Sequence, residues 1–286
     1  ITEQPKSKLR TLSDLRKMEF KVKPQLHPWL SSGCMLLAGR PKAGKSLLAE
    51  HLAYEIAKEH RLLFLALEYN LRLADHRFKR HMQNETVDQN FRFLAEGDIP
   101  RFDQGGAEQL EEHLTEFNPA LVVIDTFGKF KRPGETKSYE GKTLAMSEVR
   151  LLANKFDADL LVIHHTRKRL INDEADVFDQ ILGSTGLSAV PDTLMVLEAT
   201  AFPLATIHMR SRLLLSPKEI IIELKDEEFI ERTEAGATLV GKADVRADIL
   251  NLLEEDGPLI QKEIAKLLGL REPNDSGYCK HLELDR

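Results

Sequence analysis

The sequence predicts an α/β fold: a mainly parallel twisted sheet covered by helices, followed by a small C-terminal all-α domain. Three observations predict it. Apolar runs of strand length recur along the first two thirds, at 34–38, 61–67, 121–125 and 159–163, separated by stretches long enough for helices. The first of these runs leads straight into a glycine-rich turn and an amphipathic stretch. The strand-like runs then cease, and residues 240–286 read as three short helices.

The turn is the most informative stretch. Gly39, Gly44, Lys45 and Ser46 satisfy G-x-x-x-x-G-K-S, the P-loop pattern, between the strand at 34–38 and a helix predicted over 46–59. Glycines let backbone N–H groups curl closely around a phosphate chain, and the following helix points its free N–H groups and dipole at the anion. The cradle is Gly39, Arg40, Pro41, Lys42, Ala43, Gly44, Lys45, Ser46 and Leu47. Lys45 is placed to reach the β- and γ-phosphates, and the Ser46 hydroxyl to ligate Mg²⁺. ATP and Mg²⁺ are the expected cofactors.

Composition narrows the setting. The 286 residues are 42% hydrophobic and 30% charged, with a net charge of −6. That acidity excludes nucleic-acid binding through a global basic field, so any such contact must come from local loops. The two cysteines, Cys34 and Cys279, lie far apart and suit a reducing compartment. No apolar run is long enough for a membrane span, and the expected location is cytoplasmic. The start at Ile1 and the end at Arg286 suggest a piece of a longer polypeptide.

Taken in order, residues 1–29 form a polar, basic arm with a short helix near Leu12–Met18. It is read either as solvated or as packing on a neighbouring subunit. The core spans 30–236. In it, the run at 61–67 ends at Glu68, taken to lie on a strand beside the P-loop strand, where an acid can deprotonate an attacking water. A basic helix follows from Leu71, then a short strand at 91–94 and a helix at 107–117 stopped by Asn118–Pro119. The run LVVID at 121–125 fits the Walker B pattern, with Asp125 supporting Mg²⁺, usually through water.

Residues 127–143 read as a loop in which Lys129, Lys131, Arg132, Lys137 and Lys142 alternate with Phe127, Phe130 and Tyr139. Bases that stack on aromatics and phosphates that pair with lysines make this a candidate surface for single-stranded DNA. A helix at 144–156 leads to the strand at 159–163, which ends in His164, His165, Thr166, Arg167 and Lys168. A polar residue at this strand end faces the γ-phosphate in P-loop folds, and His165 is favoured. Arg167, Lys168 and Arg169 open a second basic loop. A strand pair at 192–197 and 205–209, with Arg210 and Arg212 at its end, and a hairpin near 220–230 close the core. Residues 241–286 have the spacing of a helix-turn-helix, truncated before a wing, with 277–284 as recognition helix. They are candidates for duplex DNA or protein contact.

In combination, the segments GRPKAGKSLLAEHLA (39–53), LFLALE (63–68), LVVIDTF (121–127), LVIHHTRK (161–168), GSTGLSAVPDTLMVLE (183–198) and MRSR (209–212) resemble the RepA-like branch of the RecA/DnaB-type P-loop ATPases, found as replicative helicases of plasmids, phages and mobile elements. The resemblance covers roughly residues 30–235. It implies a RecA-like core in a homo-oligomeric, usually hexameric, ring with ATP between subunits. It further implies Glu68 as catalytic base, Lys45, Ser46 and Asp125 on phosphate and Mg²⁺, and His165 as γ-phosphate sensor. Arg210 and Arg212 match a basic-x-Arg pair donated across the interface. The loops at 128–142 and 167–182 would track single-stranded DNA. Tyr69–Asn70 after Glu68 departs from the branch, which there carries an acidic or serine run. The leading expectation is an ATP-driven helicase ring. The alternatives are an ATP-switched DNA-binding regulator using the C-terminal helices, and a RecA-like filament ATPase.

Overall fold

The computed structural model describes residues 9, 11–17, 23–79, 85–130, 139–166, 176–182, 188–212, 216–226 and 228–233. The helix-turn-helix expectation for 241–286 lies outside them. In chain order the elements are α1 (Leu12–Lys17), β1 (Cys34–Gly39), α2 (Lys45–Ala57), β2 (Leu62–Ala66), α3 (Leu71–Phe78), α4 (Glu85–Asn90) and β3 (Phe91–Ala95). Next come α5 (Gly106–Phe117), β4 (Leu121–Asp125), α6 (Phe127–Phe130), α7 (Tyr139–Lys155), β5 (Asp159–His165) and α8 (Asp179–Leu182). Four strands follow: β6 (Thr193–Ala201), β7 (Leu204–Ser211), β8 (Lys218–Lys225) and β9 (Glu228–Arg232).

The strands form one sheet in the order β3-β2-β4-β5-β1-β6-β7-β8-β9. The first six are parallel, and β6 to β9 continue as an antiparallel meander. This is the mainly parallel α/β sheet that the apolar runs predict. One placement differs. The strand before Glu68, β2, is separated from the P-loop strand β1 by β4 and β5. A crossover helix lets a parallel strand join anywhere in the sheet, so sequence neighbours need not be sheet neighbours.

Alternation along the strands divides the core into two layers. Met35, Leu37, Phe64, Val123, Leu161 and Ile163 face one way and pack against Leu48, Leu52 and Ile56 of α2 and Ala74 and Phe78 of α3. Cys34, Leu36, Leu65, Ile124 and Val162 face the other way, against Leu110 and Leu114 of α5, Met146 and Val149 of α7, and both phenylalanines of α6. Burial of both faces explains why these strands read as unbroken apolar runs. It also pushes the Cys34 thiol up to about 12, with Asp192 adding to the effect. Helix α5 ends where expected: Asn118 turns left-handed (φ 47°) and returns its N–H to the Leu114 carbonyl.

Two expectations change here. The loop expected at 127–143 begins with the helical turn α6, and α7 starts at Tyr139. Phe127 and Phe130, three apart, share the inner side of that turn and are each 1% exposed. They are core residues and offer no face to a nucleic-acid base. The described end of the arm also packs on its own chain. Trp29 is buried and donates Nε1–H to Glu231 (2.7 Å), and Lys23 pairs with Asp157 (3.0 Å) and Asp159 (3.3 Å).

The arm brings a pH dependence. His27 Nδ1 accepts the Trp29 backbone N–H (3.2 Å), which requires an unprotonated nitrogen. Burial and the neighbouring His51 push the His27 pKa down to about 4. The unfolded chain therefore takes up this proton near pH 6.5 and the folded chain only near pH 4, so stability falls as pH drops through that window. His27→Gln is expected to remove about 1 kcal/mol of this loss, discounted for the ring's partial exposure. Urea midpoints at pH 7 and pH 4.5 check it.

Candidate functional site

In a parallel sheet all C-terminal strand ends meet at one edge, and the sequence-predicted site residues gather there. Gly39 ends β1, and a Cβ on it would stand 2.7 Å from the Leu197 carbonyl oxygen, so β6 leaves room only for glycine. The chain then turns, with Ala43 N–H donating to the Arg40 carbonyl (3.2 Å). Lys42 (φ 66°) and Gly44 (φ 89°) are both left-handed. Such turns aim successive N–H groups inward and make an anion-binding concavity. Gly44 caps α2, whose Lys45, Ser46 and Leu47 N–H groups open toward the loop. A cavity of about 210 Å³ adjoins the turn, walled by residues 40–43 and 197–199.

Lys45 is 3% exposed. Its ammonium donates to the carbonyls of Gly39 (2.9 Å) and Arg40 (2.7 Å), folded back over the turn. Burial lowers its pKa to about 8, while Asp125 and Glu68 act in the opposite sense. A half-desolvated cation of this kind gains strongly from an arriving polyphosphate.

Asp125 ends β4 and is fully buried. Burial raises its pKa to about 6; the Ser46 hydroxyl and that of Tyr69 counter this, whereas Glu68 and Glu50 add to it. Among the described residues nothing hydrogen-bonds its Oδ1 in good geometry. A buried carboxylate oxygen without a partner, beside a serine hydroxyl, fits a hydrated divalent cation. The described residues contain no cluster of three or more His, Cys, Asp or Glu side chains able to hold a metal. Mg²⁺ needs none, because it takes one or two protein oxygens together with phosphates and water.

Glu68 lies just past β2, and the intervening β4 does not remove it from the site. Leu67 N–H donates to the Asp125 carbonyl (2.7 Å), tying the two strand ends together. Glu68 Oε1 accepts the Thr126 hydroxyl (3.0 Å), and Oε2 stands 3.8 Å from His165 Nε2. Glu68 and His165 are both partly open to solvent, so water reaches the acid. His165 pairs in register with Gly39, which sets it beside the P-loop. Thr166 follows, buried, its hydroxyl without a hydrogen bond among the described residues.

Arg210 and Arg212 are not brought here. Leu194 pairs with Arg210 and Thr193 with Met35, so the arginines stand level with the start of β1, at the far end of the sheet. Arg210 pairs with Asp176 (2.5 Å) and lies over the Phe178 ring (4.4 Å). Arg212 donates to the Ala189 carbonyl (2.8 Å). Of the DNA candidates, Lys129 pairs with Glu96 (3.2 Å). Lys131, Arg132, Lys137, Arg167, Lys168 and Arg169 lie outside the described residues, as does the side chain of Lys142.

Four residues at the site escape a linear reading: Glu50, Tyr69, Thr126 and Thr166. Thr126 and Thr166 directly follow residues that motifs pick out, and Glu50 falls one helical turn after Ser46. Position relative to a motif was the only signal available for them.

Residues 3–169 match a family model described as an AAA domain. The chain belongs to this AAA domain family. Among curated protein sequences none matches at a significant level. Of solved structures, the fold is similar to that of a phage-type label-bearing protein's isolated ATPase domain, described simply as an ATPase domain (TM-score 0.56, 11% identity, covering 71% of this chain and 85% of that one). It is equally similar to a DnaB-like replicative helicase described with its primase interactions (TM-score 0.56, 11% identity). There the match covers 69% of this chain and 57% of that one, so this chain spans little over half of that helicase. A KaiC-like protein from Pyrococcus horikoshii OT3 also matches (TM-score 0.50, 11% identity, covering 70% and 89%). At such identity the likeness is one of fold, the RecA-like ATPase fold. Among the described residues no helix is long and apolar enough to cross a membrane.

Charge-assisted hydrogen bonds are worth about 1.5–3 kcal/mol, so Lys45→Ala is expected to weaken ATP binding roughly 10- to 100-fold. Titration with a fluorescent nucleotide checks this, with circular dichroism to confirm an unchanged fold.

Proposed function

We propose that this chain is an ATP-hydrolysing motor that assembles into a homo-oligomeric, hexameric ring and translocates on single-stranded DNA. In this reading it acts as a replicative helicase of a plasmid, phage or other mobile element, of the RepA-like branch. The observation that carries the proposal is Glu68. It is solvent-accessible, held by Thr126, beside His165, and within electrostatic reach of Lys45 and Asp125.

The chemistry follows from those positions. The P-loop N–H groups and Lys45 bind the β- and γ-phosphates and neutralise charge there. Ser46 and Asp125 would hold Mg²⁺, which supplies charge neutralisation between those phosphates. Glu68 accepts the proton of the attacking water, and His165 senses whether the γ-phosphate is present. Arg210 and Arg212 stand too far from their own P-loop to serve it. Their place at the opposite sheet end supports a role on a neighbouring subunit's nucleotide, where an arginine stabilises transition-state charge. For DNA contact the reading rests on Lys129 and the basic residues of 131–142 and 167–169, without help from Phe127 or Phe130.

Steady-state hydrolysis with and without single-stranded DNA, across protein concentration, tests the proposal. Strong stimulation with cooperative concentration dependence is expected; slow turnover indifferent to DNA and to concentration would sink the motor reading. Glu68→Gln is expected to keep ATP affinity while lowering turnover about 10²- to 10⁴-fold. Mixing Lys45→Ala chains with Arg212→Ala chains is expected to restore part of the turnover each lacks alone. If no mixture recovers activity, the arginine does not act between subunits.

A further inference from the structure

Directly after Glu68 stands Tyr69, one of the two residues that depart from the branch it resembles. The other, Asn70, acts locally, since its side chain accepts the Leu73 N–H and caps α3. Tyr69 has a longer reach. The ring is 4% exposed and packs near Phe78. Its hydroxyl lies 2.5 Å from Glu50 Oε1 and 3.4 Å from Asp125 Oδ2.

Glu50 is held in its turn. Its side chain is 0% exposed on the inner side of α2, and Arg77 Nε approaches Oε1 to 2.6 Å. The Arg77 guanidinium also lies over the Tyr69 ring, 5.1 Å from its centre. A connected chain of side chains therefore runs from α3 through α2 to the end of β4: Arg77, Glu50, Tyr69, Asp125.

The geometry has a direction. A phenol carries one proton, and here it is the polar group standing between two buried carboxylates. Contact through Oδ2 leaves Oδ1, the oxygen without a partner, as the free edge of Asp125. A carboxylate turned about its Cβ–Cγ bond would exchange the two oxygens, and a fixed hydroxyl on one side opposes that rotation. Outer-shell hydrogen bonds of this kind orient a ligand and commonly carry a large share of metal affinity.

We propose that Tyr69 is a positioning residue: anchored by Glu50 and Arg77, it holds the Asp125 carboxylate with Oδ1 presented to the Mg²⁺ of bound nucleotide. The proposal rests on the reading that Asp125 supports Mg²⁺.

The test is Mg²⁺-dependent binding of a fluorescent ADP analogue, which involves no turnover. Wild type, Tyr69→Phe, Arg77→Gln and Asp125→Asn are titrated in EDTA and across Mg²⁺ concentrations, with thermal midpoints measured alongside. Tyr69→Phe keeps the buried ring and loses only the hydroxyl. Its half-saturating Mg²⁺ is expected to rise roughly 3- to 10-fold while affinity in EDTA stays unchanged. Arg77→Gln, at a partly exposed position, is expected to shift it the same way by less, and serves if the tyrosine variant folds poorly. A purely structural tyrosine would lower the thermal midpoint and the EDTA affinity without moving the Mg²⁺ midpoint, and that result overturns the proposal. If Asp125→Asn shifts the Mg²⁺ midpoint and Tyr69→Phe does not, the inference about Tyr69 fails and the role of Asp125 stands. If Asp125→Asn leaves Mg²⁺ dependence intact, the reading beneath both is wrong.

Discussion

Parallel register is the constraint on which the rest of this structure depends. β1 is flanked by β5 and β6, and β4 by β5 and β2, all running the same way. Because each strand enters from the same side, the chain leaves every one of them at a single edge. Gly39, Glu68, Asp125 and His165 come from four different strands and are far apart in sequence, yet they share that edge. Side-chain contacts then refine what register has already arranged. The Leu67 N–H to Asp125 carbonyl bond and the Thr126 hydroxyl to Glu68 bond join neighbouring strand ends.

A second theme is electrostatic tension without a ligand. Lys45 and Asp125 are both almost wholly removed from solvent, and burial works against the charged form of each. Lys45 compensates by donating to two carbonyls of its own loop, and Asp125 by its approach to Ser46 and Tyr69. Neither arrangement satisfies the group as fully as a phosphate or a cation would. Free energy spent on keeping these groups desolvated becomes available when nucleotide and metal arrive together, the usual origin of a preorganised site.

Much of this was legible in the sequence because it depends on local pattern. The P-loop needs left-handed and close-approach positions that glycine supplies, and Gly39 and Gly44 occupy them. Two-faced burial required unbroken apolar runs, and LVVID and DLLVI are such runs. Other features had no local signature. Phe127 and Phe130 between lysines read equally as stacking platforms or as one turn of helix, and only packing against the α5–α7 layer decided for the core. Trp29 likewise could face solvent, a partner or its own chain, until Glu231, some two hundred residues onward, proved to be its hydrogen-bond partner.

What the sequence by itself determined is the phosphate cradle, the parallel α/β class and the order of acidic strand ends, since these follow from backbone freedom and side-chain periodicity. Only the tertiary structure decided which strands adjoin. It put β4 and β5 between Glu68 and the P-loop strand, set the arginine pair at the opposite end from its own nucleotide site, and joined Arg77, Glu50 and Tyr69 behind Asp125. The reason is physical. Crossover connections leave strand order open, and contacts between residues distant in the chain are fixed by the packing of whole layers, which no short stretch of sequence encodes.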